Sequence, residues 1–184
     1  LLTGPQLATL LDDSGAVMAF ATADFRAKVD PERARLGGVR PDGWIAVFGD
    51  APGWQAFDAF LARARGSTAP LPVCTPADDF NIIYSSGTTG VPKGIVQTHR
   101  ARTHWAFSNA IEMGFTDRAR ALTTPSLYSN GTWLMMLPAL FAGGTCVVMP
   151  AFDPAGFLET VARERITHAF MVPAQYIAVL AEAS

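Results

Sequence analysis

Charge is sparse in this sequence. Only 16% of its 184 residues are Asp, Glu, Lys or Arg, and the net charge is −2. Without a basic excess, neither nucleic acid nor an anionic membrane surface is an expected partner. Cysteine is nearly missing as well. Cys74 and Cys146 stand far apart and match no metal-ligand spacing, which argues against a disulfide framework and a zinc site. Buried, inert thiols in a reducing, cytoplasmic setting are the expectation. The opening Leu1-Leu2-Thr3-Gly4 has no basic segment followed by an apolar core, so it does not read as a secretory signal. There is no internal repeat and no low-complexity tract.

From Ala121 to Phe152 charge disappears altogether. A run of that length invites a membrane reading. Pro138, Gly143-Gly144, Thr145 and Pro150 divide it into a short helix and a short strand. Strands covered on both faces read as continuous apolar runs, so no membrane span is expected. Hydrophobic residues reach 49% of the chain, high for a soluble domain. The excess implies either a large core or a surface made for another domain.

What is present alternates. Helices are expected over Pro5–Leu11, over Asp24–Leu36 with Asp24 as cap, and over Trp54–Arg65. Thr98–Phe115, capped by Thr98, is a long helix. Asn130–Phe141, Pro154–Arg165 capped by Asp153, and Pro173–Ala183 complete the set. Short strands fall between them at Ala16–Phe20, Ile45–Phe48, Phe80–Tyr84, Ala121–Thr124, Thr145–Met149 and His168–Val172. Such alternation implies right-handed βαβ units: an α/β fold, a mostly parallel sheet with helices on both faces. Residues 1–66 read as a first α/β segment, 67–79 as a connector rich in Pro, Ser and Thr, and 80–184 as a second segment.

The chemistry concentrates between Tyr84 and Gly94, in Tyr-Ser-Ser-Gly-Thr-Thr-Gly-Val-Pro-Lys-Gly. Gly87, Gly90 and Gly94 let backbone amides approach a ligand closely, and consecutive amides in such turns form anion-binding concavities. Ser85, Ser86, Thr88 and Thr89 add hydroxyl donors. Lys93 adds one mobile positive charge. Pro92 stiffens the second half of the loop. There is no acid. A phosphate is the ligand that suits this set. The order of residues is neither G-x-x-x-x-G-K-[ST], because Pro92 and Gly94 stand in the wrong places, nor G-x-G-x-x-G.

The loop closely resembles the phosphate-binding loop of the adenylate-forming superfamily, [YF]-[ST]-S-G-[ST]-T-G-x-P-K-G, which includes acyl-CoA synthetases, peptide-synthetase adenylation domains and beetle luciferases. The likeness continues downstream. Thr98-His99-Arg100 resembles the Thr-His that opens the next helix, with His99 expected to cap or pack. Pro125 to Gly131 resembles the segment that lines the acyl pocket, although Tyr128 stands where many acyl-CoA ligases carry histidine. Gly143-Gly144-Thr145 to Pro154 resembles a further stretch, with Ala151 replacing a basic residue often found near CoA. Thr167 to Pro173 resembles the strand and Val-Pro turn before the pocket floor, where His168 is expected to be structural.

The resemblance implies an AMP-forming acyl-CoA synthetase that uses ATP, magnesium and CoA on a carboxylic acid. It implies that Ser85, Ser86, Gly87, Thr88, Thr89, Gly90, Lys93 and Gly94 hold the nucleotide phosphates. Lys93 and Thr88 would act on the reacting groups, and Tyr128, Asn130 and Leu134 would line the acid pocket. A carrier-protein-loading domain or fatty-acyl-AMP ligase is the near alternative, and a non-catalytic phosphate-binding segment the distant one. The family's magnesium glutamate, ribose aspartate and C-terminal lysine have no counterpart before Ser184. The chain is therefore expected to be part of a large N-terminal domain, inactive alone and packed against a remainder.

Overall fold

A computed structural model describes residues 2–68, 70–85, 92–124 and 128–182. Two compact units are present: residues 1–73 with 86–94, and residues 74–85 with 95–184. Each is described on its own.

The first unit begins with α1 (Gly4–Asp13), β1 (Ala19–Ala21) and α2 (Ala23–Val29). The Asp24–Leu36 helix expected from sequence is two elements. Thr22, not Asp24, is the N-cap of α2, and a 3₁₀ turn (Asp30–Arg35) follows it. Pro31 lacks the N–H that an α-helix would need there, so the regular ladder stops. The strands β2 (Trp44–Ala46) and β3 (Gln55–Ala56) pair in parallel in the order β1-β2-β3. Gln55–Ala56 is thus strand, and only Phe57–Ala62 of the expected Trp54–Arg65 helix is helical, as α3. The core of this unit gathers Ala8, Val29, Leu36, Trp44, Ala46 and Trp54. Arg33 lies over both indoles, 4.6 Å from Trp44 and 5.3 Å from Trp54. Trp54 Nε1 donates to Asp30 Oδ1 at 2.7 Å, which satisfies its only polar atom.

The strands β4 (Asp79–Ser85) and β5 (Lys93–Thr98) form a two-stranded sheet, with β4 and β5 from Ile95 onward in the second unit, and α4 (His99–Glu112) follows. The strand β5 was not anticipated. Then come β6 (Arg120–Thr123), α5 (Asn130–Phe141), β7 (Thr145–Val148), α6 (Pro154–Glu164), β8 (His168–Ala169) and α7 (Pro173–Glu182). The strands order as β7-β6-β8, all parallel, with Leu122 opposite Val147 on one side and Ala169 on the other.

The chain moves one way from β6 to β7 and back past β6 to β8. Right-handed crossovers in opposite directions must place their helices on opposite faces. The packing agrees. Ala121, Cys146 and Phe170 meet Met135 and Ala139 of α5 and Ala110 of α4. One residue along each strand, Leu122, Val147 and Ala169 meet Phe157 and Val161 of α6 and Val179 of α7. The α/β class expected from sequence therefore holds, with strands divided among small sheets.

The cysteines differ from expectation. Cys74 is exposed and Cys146 only half-buried. Cys74 sits in the connector, with no apolar layer to cover it. Among the described residues no helix is long and apolar enough to cross a membrane.

Leu122 is fully buried at the centre of this arrangement. Leu122→Ala should destabilise the fold by about 3 kcal/mol, the usual scale for an unfilled core cavity, read as a lower midpoint in urea at unchanged slope.

Candidate active site

The strands β4 and β5 deliver the two ends of the Tyr84–Gly94 loop. Ser86, Gly87, Thr88, Thr89 and Gly90 lie outside the described residues. Ser85 is the last residue of β4 and half-buried; Lys93 and Gly94 open β5 and are exposed. Lys93 has no ion-pair partner among the described residues.

The start of α4 is closed by the connector. Thr98 Oγ1 accepts from the Ala101 amide at 3.2 Å. The His99 amide donates to the Asp78 carbonyl at 3.0 Å and the Arg100 amide to the Pro76 carbonyl at 2.9 Å. Three of the amides that a helix leaves unpaired at its start are therefore taken, so this helix start offers no open anion site. The His99 ring meets Phe80 edge-on at 5.2 Å, a packing role as expected. Asp78 organises the turn: its Oδ2 accepts from the Thr75 amide at 2.6 Å. Hydrogen bonds from Thr75, backbone first, hold the Asp78 carboxyl below its ordinary value of 3.8, aided by charge on His99.

A folded-state pKa below the unfolded one stabilises above the unfolded value and is lost as pH falls through the folded one. The 75–78 turn should thus loosen in acid below pH 3.8. Hydrogen exchange at the Thr75 amide should accelerate there. In Asp78→Asn that added acid sensitivity should vanish.

The second gathering of polar groups was missed from sequence. Arg102, in α4, is 4% exposed. Its Nε donates to Asn81 Oδ1 at 2.9 Å and its Nη2 to Asn130 Oδ1 at 2.8 Å. The guanidinium lies 4.9 Å from the Trp105 ring and 5.3 Å from Trp133. Desolvation lowers its pKa, yet a guanidinium stays charged in a protein. The spacing of Arg102 and Trp105, one helical turn apart, was the available signal. Asn81 and Asn130 are remote in sequence and gave none.

Asn130 is the first residue of α5, and Ser129 caps that helix by accepting from the Gly131 amide at 3.2 Å. Tyr128 is 75% exposed, and Pro125–Leu127 lie outside the described residues. Leu134 is half-buried and packs on the Ala110–Ala139 cluster, with its side chain turned to the core. His168 is structural, as expected: its ring stacks on Phe115 at 3.9 Å and its Nε2 lies 3.0 Å from the Met113 carbonyl. Gly131 has a steric reason to be glycine, since a Cβ there would overlap the Phe170 ring. Gly131→Ala should displace that ring and lower stability by about 1–3 kcal/mol, the range for overpacking, seen as a lower thermal midpoint. A groove of about 560 Å³ beside Cys74, Pro76, His104 and Phe107 includes none of the candidate loop or pocket residues.

The AMP-binding enzyme family matches residues 1–184. The chain belongs to that family. The indoleacetate–CoA ligase of Aromatoleum aromaticum is 35% identical over 95% of this chain and 34% of its own length. A feruloyl-CoA synthase of Amycolatopsis is 37% identical over 95% of this chain and 38% of its own. Among solved structures, the anthranilate CoA ligase AuaEII in complex with anthranoyl-AMP superposes with a TM-score of 0.88 at 25% identity, covering 98% of this chain and 35% of that one. The chain thus spans about a third of the length of these relatives.

Proposed function

We propose that the native protein is an AMP-forming acid–CoA ligase and that this chain supplies its phosphate grip and one wall of its acid pocket. The observation that carries the reading is the Tyr84–Gly94 loop, set between β4 and β5 in a chain of the AMP-binding family. A carboxylate attacks the α-phosphate of ATP, and pyrophosphate leaves with the displaced electron pair. The acyl-adenylate then passes its acyl group to the thiol of CoA, with AMP as the leaving group. Ser85, Ser86, Gly87, Thr88, Thr89, Gly90 and Gly94 cradle the β- and γ-phosphates. Thr88 and Lys93 bear on the charge that develops as pyrophosphate departs. Donors aimed at developing charge are the main resource in such transfers. Tyr128 and Asn130 border the acid, and Leu134, packed in the core behind them, no longer counts as a lining residue.

The remainder of the reaction needs groups from outside this chain. Among the described residues no cluster of three carboxylate, histidine or cysteine side chains could hold a metal ion. The magnesium that would accompany ATP is assigned to further protein. The apolar faces of Phe107, Ile111, Phe141 and Ile177 are exposed here and suit packing against such a remainder. The reaction is assigned to the cytoplasm. One observation favours a second acceptor: Ala151 stands where CoA ligases often have a basic residue, which suits a carrier protein.

Acid-dependent exchange of pyrophosphate into ATP by the native protein tests the reading. Exchange with at least one aryl or acyl carboxylic acid is expected, and silence across a broad panel refutes it. Lys93→Ala should slow exchange by about 100-fold, the scale for losing one charge-stabilising donor. CoA or a loaded carrier protein, added after adenylation, then identifies the acceptor.

A further inference from the structure

Arg102 takes part in none of these steps. Its guanidinium joins β4 through Asn81 to α5 through Asn130, while its own backbone lies in α4. The same knot holds Phe80, the neighbour of Asn81, edge-on against Trp133 at 5.8 Å. Beyond Asn81, β4 runs to Ser85 and so into the phosphate loop. Asn130 begins the helix that borders the acid.

A guanidinium is a rigid planar fork. Two carbonyls gripped by it cannot slide relative to one another without losing a hydrogen bond. Both acceptors are neutral amides, and no carboxylate pairs with Arg102 among the described residues. A buried charge without a counter-ion is unfavourable, and an apolar side chain would fill the space with less penalty. Asn81 bears a second penalty. Its Oδ1 must face Arg102, and its buried Nδ2 has no acceptor among the described residues. The arrangement is poorly explained by stability and well explained by geometry.

We propose that Arg102 is a positioning residue of the adenylation reaction, fixing the strand that enters the phosphate loop against the first turn of the acid-pocket helix. The grip on phosphate and the grip on the acid are then set together. This rests on the ligase reading above.

The test uses the native protein and four variants: Arg102→Met, Arg102→Lys, Asn81→Ala and Asn81→Asp. Pyrophosphate exchange gives kcat and KM; calorimetry gives acid affinity with and without a non-hydrolysable ATP analogue; the thermal midpoint reports folding. In the wild type the analogue should tighten acid binding roughly 10-fold, a typical coupling. Arg102→Met and Asn81→Ala should lose that tightening and about 100-fold in kcat, the scale of a small misplacement, with affinity for the analogue alone kept. Arg102→Lys retains the charge without the fork and should behave like Arg102→Met. Asn81→Asp keeps an acceptor in place and should stay within about 3-fold of wild type in kcat, the tightening preserved.

Unchanged kcat and tightening in folded Arg102→Met and Asn81→Ala would overturn the inference. So would losses confined to the thermal midpoint and active fraction, or a wild type that exchanges but shows no tightening. If Arg102→Met does not fold, the Asn81 pair decides alone. A wild type with no exchange on any acid refutes the ligase reading first and removes the reaction that Arg102 would serve.

Discussion

The second unit depends on β6 being covered from both sides. Its four residues are half-buried at Arg120 and buried from Ala121 to Thr123, and alternate residues serve different cores. Ala121 packs against α5 and α4, and Leu122 against α6 and α7. A parallel strand in this position cannot leave either face to water. The start of β6 is secured by Arg120, whose side chain donates to the Glu164 carbonyl and pairs with the Glu164 carboxylate at 2.7 Å. That pair holds the end of α6 beside the start of β6. The helix α5, placed by this sheet, carries Asn130 and Gly131 at its free end.

Much of this was legible because β6, α5, β7 and α6 are marked by short-range signals. The limits of α5 match the expected Asn130–Phe141, and Asp153 caps α6 by accepting from the Gly156 amide at 2.7 Å. The first unit was read less well. Gln55–Ala56 looked like the start of a helix, since Phe57, Phe60 and Leu61 recur at helical spacing. Pairing with β2 decides otherwise, and that partner is distant in sequence. In the same way Asp24 is a good cap by type, but Thr22 reaches the extended conformation first. Within the site, the loop was visible as a motif and the Arg102 bridge was not. A motif is local; a bridge among residues 81, 102 and 130 exists only after folding.

The division of labour around the loop follows from hydrogen bonding. A helix start is a ready anion site only while its amides are unpaired. Those of α4 are met by Thr98 and by the carbonyls of Pro76 and Asp78. That end of α4 is therefore no open anion site, which is why the proposed phosphate grip rests on the loop and Lys93.

Two cations thus stand at opposite limits of solvation. Lys93 is exposed at the start of a strand, a compact ammonium on a flexible stem. Arg102 is sealed between two indoles, with its donors committed to fixed carbonyls. Exchanging the two residue types would serve neither place. A lysine at position 102 would lack the planar fork that meets Asn81 and Asn130, and an arginine at position 93 would replace a compact point charge with a broader one. Under the ligase reading the mobile charge would act from one strand of a pair whose other strand is tied to α5 through the guanidinium at Asn81.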